Sequence, residues 1–358
     1  MMSHFDHGQS PTAYNAYIGR KLLFVAVLVA LAVLMLMLAI SLGAVRIPTR
    51  EAVLALFNLG DDPRTAIIVR HIRLPHALSA ILAGVGLAAA GATMQSILRN
   101  PLGSPFTLGI SQAGAFGAAF SVMIFGSGAM QSTQAGAVSI INPYLTTLSA
   151  FAACLVASLV IIAIARLRGA TPEVMILSGV ALGSLFTAGT MLLQYFADDV
   201  QLAAMVFWTF GDVGRAGWSE VVFMAVVVSI SLIFFIFNRW NYNAIDAGDE
   251  TAKGLGVRVE WVRMTGMLTA SLVTAVIVSF LGIIGFVGLV CPHIVRRIIG
   301  DDHRFLLPAS ALTGACLLLA ADTTARLLLA PQMLPVSILT AFLGAPAFLY
   351  LLIRDKYR

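Results

Sequence analysis

Residues 72–111 read IRLPHALSAILAGVGLAAAGATMQSILRNPLGSPFTLGIS. From residue 77 to 98 the stretch is free of charge, and a helix rising about 1.5 Å per residue needs about 20 apolar residues to cross roughly 30 Å of hydrocarbon. Gly and Ala dominate residues 81–92, which predicts close helix packing rather than a ligand site. The following RNPLGSP, residues 99–105, cannot continue the helix because its prolines and glycine favour a tight turn. The next apolar run begins at residue 108, so the stretch reads as span, turn, span.

The rest of the chain repeats this grammar. Its 358 residues are 59% hydrophobic and 11% charged, and the mean hydropathy of +0.93 places it in a bilayer rather than in water. Spans are predicted at 22–45, 77–98, 108–124, 144–165, 174–197, 221–237, 264–281, 286–299, 309–329 and 336–353. The expected fold is therefore all-α, one polytopic domain over 1–358 with about ten transmembrane helices. The first span follows a polar tail and is longer than the apolar core of a cleaved leader, so it is read as retained.

Positive charge sets orientation. With the N-terminus inside, fifteen of the 22 Lys and Arg fall on inner segments, six (Arg46, Arg50, Arg64, Arg70, Arg73 and Arg215) fall outside, and Arg326 lies within a span. Both termini are expected inside, with residues 1–20 as a cytoplasmic tail. The basic pI near 9.4 follows from this bias, and the scattered cations do not predict nucleic-acid binding.

Several function classes lack their residues. No G-x-x-x-x-G-K-[ST] occurs, so nucleotide phosphates are not cradled by this chain. An ion-coupled carrier uses ionisable groups deep in the membrane, and only Asp322, Arg326 and His293 come near, all towards span ends. Asp322 and Arg326, four apart, pair on one helix face. His293 reads as a satisfied polar residue, and Cys154, Cys291 and Cys316 as buried free thiols without metal spacing. A hydrolase would need a nucleophile and base in a recognisable motif, and neither HExxH nor G-x-S-x-G is present.

One charged island interrupts the apolar chain: DAGDETAKGLGVRVEWVR, residues 246–263, on the inner side within the 239–263 loop. DETAKGL forms a short helix with acids at its N-terminus, where the helix dipole favours them, and Gly254 and Gly256 stop it. Residues 257–262 start a second short piece. Such a segment is either a solvated connector or a docking surface.

GDETAKGLGV at 248–257 resembles the coupling loop of binding-protein-dependent ABC importer permeases of the iron-siderophore, haem and cobalamin class, the FecCD family. Further blocks agree in order: the opening stretch at 72–111, LSGVALGSLF at 177–186, GIIGFVGLVCPHIVRRIIGDDHRFLLPASALTGA at 282–315 and LPVSILTAFLGAPAFLYLL at 334–352. The resemblance implies a type II importer permease in the cytoplasmic membrane, without catalysis or a cofactor of its own. It further implies a second permease copy, two ATPase subunits that bind ATP and Mg, and a periplasmic or lipid-anchored substrate-binding protein.

Site residues carry over from the resemblance position by position. Asp249, Glu250, Lys253, Gly254, Leu255 and Gly256 match the ATPase-coupling loop. Arg73 and Arg326 match basic positions that dock the binding protein; a third such position holds His76, which would make docking weaker or pH-dependent. On pattern alone Arg73 reads as an interfacial anchor beginning the second helix, and the resemblance favours docking. Asn100 and Leu102 match the inner gate, whereas at the second gate segment Pro172 and Glu173 stand where the family has small hydroxyl residues. Thr187, Thr190 and Gln194 form a polar stripe that either lines the pathway or bonds a neighbouring helix. Residues 205–218 read as an outer amphipathic segment with interfacial Trp, where the family has a short re-entrant helix.

A ferric siderophore is the expected cargo, with haem, cobalamin or an oxyanion such as molybdate as alternatives. An ion-coupled secondary transporter is the rival of a different class.

Overall fold

The computed structural model describes residues 12–355 except 44, 61, 127, 131–137, 141–142 and 329–333. Lys356, Arg358 and the first eleven residues of the tail lie outside the described residues. The chain runs α1 (Thr12–Ser41), α2 (Thr49–Leu56), α3 (Pro63–Ile67), a π-turn (Ile68–Arg73), α4 (Leu74–Ile97) and α5 (Ile110–Ile124). A short antiparallel hairpin, β1 (Gly128–Met130) with β2 (Val138–Ile140), then leads to α6 (Pro143–Leu167), α7 (Pro172–Phe196) and α8 (Asp199–Thr209). After α9 (Trp218–Phe237) come the short α10 (Arg239–Asp246) and α11 (Asp249–Gly254), then α12 (Val259–Leu281), α13 (Val287–Ile299), α14 (His303–Leu328) and α15 (Val336–Asp355).

All ten expected spans are helices, and seven segments among the described residues are long and apolar enough to cross a membrane. Several helices start before the expected span, while α1 stops at Ser41, short of 45, and α5 starts at Ile110, after 108. The expected span at 264–281 begins at Val259, and that at 309–329 begins at His303. Hydropathy reports only the part of a helix that matches hydrocarbon, whereas the backbone ladder continues into the polar layer. For the same reason residues 257–262 are not a second short helix: most of them form the first turn of α12, and the second short helix of the island is α10.

The core is α4, against which α9, α12, α13 and α14 pack. Its small residues are required by that position. A Cβ on Gly91 would lie 1.7 Å from the carbonyl oxygen of Gly288 in α13, and one on Gly84 would lie 2.2 Å from that of Gly314 in α14. Backbones this close bring dispersion contacts that larger side chains would prevent, which is how helices associate in lipid. The π-turn before α4 has a local cause. Pro75 lacks an N–H and its ring disfavours the ordinary turn before it, and the Leu74 N–H reaches back to Val69 instead. The helix thus continues unbroken from Pro63 to Ile97.

Candidate functional site

The island and its neighbours converge at one end of the bundle. In α11, Asp249 and Glu250 occupy the first turn, and Gly256 with φ +84° ends the local helix. Lys253 Nζ donates to Glu250 Oε1 at 2.9 Å, both exposed, and this bond holds the Lys253 ammonium pKa above its usual value. Leu255 is exposed, and a Cβ on Gly254 would meet nothing within 4 Å. The lower face of α11 is therefore open: a charged pair, a leucine and a bare glycine.

The upper face of α11 is anchored by a residue that sequence reasoning counted only as an inner positive charge. Arg263 of α12 is 2% exposed. Its Nη2 donates to both Asp249 oxygens at 2.9 and 3.1 Å, its Nε to the Ile97 carbonyl at 2.6 Å and its Nη1 to the Ala170 carbonyl at 3.0 Å. The planar guanidinium fork suits it to three acceptors in different directions. Ile97 ends α4 just before RNPLGSP, and Ala170, with φ +49°, belongs to the turn before α7. One side chain therefore joins the island to both expected gate segments.

A second cluster ties α10 to the bundle. Ser96 Oγ lies 2.7 Å from His303 Nε2 and donates to Asp246 Oδ2 at 2.9 Å, and the same His303 nitrogen is 3.0 Å from that carboxylate. Both partners share one ring nitrogen, so this is not the relay of a hydrolase, which needs both nitrogens in series. It is a fastening between α4, α10 and α14. Asn243 adds to it by accepting from the His303 backbone N–H at 2.8 Å and donating to Asp302.

At the expected gates, Asn100 Oδ1 accepts from Leu102 N at 2.9 Å, and Ser104 with Thr107 closes the rest of the turn. Leu102 is exposed. Pro172 is the first residue of α7 and Glu173 sits in its first turn, while Thr171 Oγ1 accepts from Val174 N. These two residues start a helix, a role that Pro and an acid fill well at this position. The nearest hydroxyl, that of Thr171, caps α7.

The polar stripe divides. Thr187 lines a cavity of about 410 Å³ between α5 and α7 together with Gln112, whereas Thr190 and Gln194 do not. The hydroxyls of Thr187 and Thr190 bond back to the carbonyls of Gly183 and Phe186 on their own helix, so they do not bridge to a neighbour.

At the opposite end the structure differs from expectation. Arg73 is buried, and its guanidinium donates to the carbonyls of Ile40, Ser41 and Val45 at the end of α1. Arg326, also buried, donates to those of Ala39 and Leu42 and to Asp322 Oδ2 at 3.0 Å. His76 Nε2 lies 2.7 Å from the other Asp322 oxygen. The three expected docking residues thus turn inward, because the unpaired carbonyls ending α1 and a buried carboxylate attract them more strongly than lipid or an open surface would. Of the arginines expected outside, Arg46, Arg50, Arg64, Arg70 and Arg215 are exposed. The 205–218 segment is also shifted: α8 starts at Asp199 with a capping box between Asp198 and Gln201, and Trp208 is buried rather than interfacial. Trp218 Nε1 donates to the Arg70 carbonyl at 3.0 Å.

Among the described residues no group of three or more His, Cys, Asp or Glu is placed to hold a metal, and the three cysteines are buried free thiols. His293 is buried, with its ring centroid 6.0 Å from that of Phe348.

Comparison with known proteins agrees with this architecture. The FecCD transport family matches residues 30–354. A protein of Methanocaldococcus jannaschii named as an ABC transporter permease is 56% identical over 96% of this chain and 98% of its own. The Fe(3+)-citrate import system permease YfmE of Bacillus subtilis is 36% identical over 93% and 95%. A solved structure described as an inward-facing conformation of a metal-chelate type ABC transporter superposes with a TM-score of 0.79 at 30% identity, covering 92% of this chain and 98% of that one. Permeases of this kind carry no cofactor and perform no catalysis; ATP is bound by a partner ATPase, and a binding protein delivers the cargo. The chain belongs to the FecCD transport family and is a multi-pass membrane permease of an ABC importer.

Proposed function

We propose that this permease admits a ferric chelate through the cytoplasmic membrane, with both termini cytoplasmic, by alternating access driven from α11. The observation that carries the proposal is Arg263, which holds Asp249 of the island against the carbonyls of Ile97 and Ala170. An ATPase groove that receives Glu250, Lys253, Gly254 and Leu255 then pulls on the Asn100–Leu102 turn and the start of α7 through buried hydrogen bonds rather than through a flexible loop. Stiffness matters because a compliant link would absorb the stroke.

The α5–α7 cavity with Gln112 and Thr187 forms one wall of the pathway, and a second copy of the chain supplies the other. The binding protein reads the exposed Arg46, Arg50, Arg64 and Arg70, with Arg73, His76 and Arg326 stiffening the platform beneath them. An iron chelate is favoured because the B. subtilis relative is named for ferric citrate and the superposed structure for a metal chelate.

The test is reconstitution of the chain with its ATPase and binding protein in proteoliposomes, followed by uptake of radioactive ferric chelate. ATP-dependent uptake that survives collapse of ion gradients supports the reading. Uptake of cobalamin or haem but not ferric chelate would refute the cargo alone, and uptake that follows an ion gradient would refute the mechanism.

A further inference from the structure

At the α10–α11 end of the bundle, away from the island, a cavity of about 590 Å³ opens between the start of α1 and the end of α13. Its walls are of two kinds. Phe24, Val27 and Ile298 line it with hydrocarbon, while Arg20 and Lys21 supply two cations beside Tyr17, and none of its lining residues is acidic.

Lys21 is the unusual member. It is 2% exposed, and among the described residues its Nζ has no hydrogen-bond acceptor. The ammonium lies 4.2 Å from the ring centroid of Tyr17 and 5.1 Å from that of Phe305. Aromatic faces attract a cation but offer no oxygen to its N–H groups. A buried ammonium without an acceptor is costly and is ordinarily lost from a membrane protein unless something pairs with it.

The level of the site identifies the partner. Asn243 and Asp246 of α10 bond to Asp302 and His303 at the start of α14, and Phe305 of that same turn stacks on Lys21. Lys21 therefore lies at the depth where the chain leaves the hydrocarbon, beside an apolar trough that runs back into it. A phosphate diester with attached acyl chains meets both demands: its oxygens reach Lys21 and Arg20, and a chain lies along Phe24, Val27 and Ile298. A choline headgroup would bring its own cation against these two.

We propose that this cavity is a binding site for an anionic phospholipid, held by Lys21 and Arg20 and wedged between α1 and α13. The leaflet, though not the site, rests on the orientation given above. Basic pockets between membrane helices on the cytoplasmic side recognise such headgroups, at about fivefold in affinity for each Lys or Arg near the surface.

The experiment is native mass spectrometry of the full chain in mild detergent, with equal amounts of phosphatidylglycerol and phosphatidylcholine. Phosphatidylglycerol adducts should exceed phosphatidylcholine adducts by about fivefold or more, one basic residue's worth. Lys21→Gln should cut the preference about fivefold, leaving only the share of Arg20, and Lys21→Arg should keep it. Should Lys21→Gln fail to fold, thermal unfolding of the unsubstituted protein decides. Phosphatidylglycerol must raise the midpoint, and neither phosphatidylcholine nor excess inorganic phosphate may do so. Equal retention of the two lipids, a preference undiminished in Lys21→Gln, or stabilisation by inorganic phosphate alone would each overturn the proposal. Transport is not part of the readout, so the lipid site and the importer mechanism fail independently.

Discussion

Replacing Arg263 by Met tests the coupling mechanism most directly, because it keeps bulk and removes every donor. In the intact protein the guanidinium serves the Asp249 carboxylate and two backbone carbonyls, and it is almost wholly buried. Breaking a buried pair by removing one partner costs about 3–5 kcal/mol. Asp249 retains 28% of its side-chain exposure, so water recovers part of this, and the lower bound of about 3 kcal/mol is the appropriate figure. Each orphaned carbonyl adds about 1 kcal/mol or more. A loss of about 3 kcal/mol in the anchoring of α11 raises its detached population roughly a hundredfold. Hydrogen exchange should therefore show the amides of α11 losing about two decades of protection in Arg263→Met, while α4 and α14 keep theirs. In proteoliposomes the partner ATPase should continue to hydrolyse ATP while uptake per ATP falls at least about tenfold, since most strokes would meet a loose segment. Arg263→Lys keeps the charge but loses the fork, and should fall between the two. Unchanged exchange in α11 together with unchanged uptake per ATP in Arg263→Met would falsify the mechanism.

Gly254→Trp should leave thermal unfolding in detergent unchanged, because nothing in this chain lies within 4 Å of the new Cβ, and should abolish capture of the ATPase. Gly91→Val is the contrasting case: its Cβ would overlap the Gly288 carbonyl, so folded protein should be lost before any partner is tested. Asp322→Asn leaves His76 and Arg326 without their shared carboxylate and should lower the unfolding midpoint by the equivalent of about 3 kcal/mol. Normal stability in that variant would show that the cluster is not a fastening. Charge reversal of Arg46 and Arg64 together should slow association of the binding protein at low salt and matter less as salt rises, as measured by surface binding kinetics.

How much of the site was legible depended on the range of each interaction. The island's short helix, its acids and its glycine stop were legible because dipole, cap and breaker act within one turn. The Asn100 turn was legible for the same reason. Arg263 was invisible because its partners are at 97, 170 and 249, and no local pattern marks a residue whose acceptors come from three distant segments. The nearest signal was a lone arginine just inside an apolar run. For Arg73 and Arg326 the positions were legible but the directions were not, since those depend on where α1 ends in space.

The sequence by itself determined that the chain is an all-helical polytopic membrane protein, and that its largest charged loop holds a short helix with acids at its start and glycines at its end. In lipid every backbone group must bond within its own segment, so each span announces itself in local composition. Only the tertiary structure decided which faces of those spans meet, which cations point inward and which ammonium, that of Lys21, has no acceptor among the described residues. Those outcomes depend on small residues such as Gly84 and Gly91 letting backbones touch, and a close approach is a property of two segments rather than of either one.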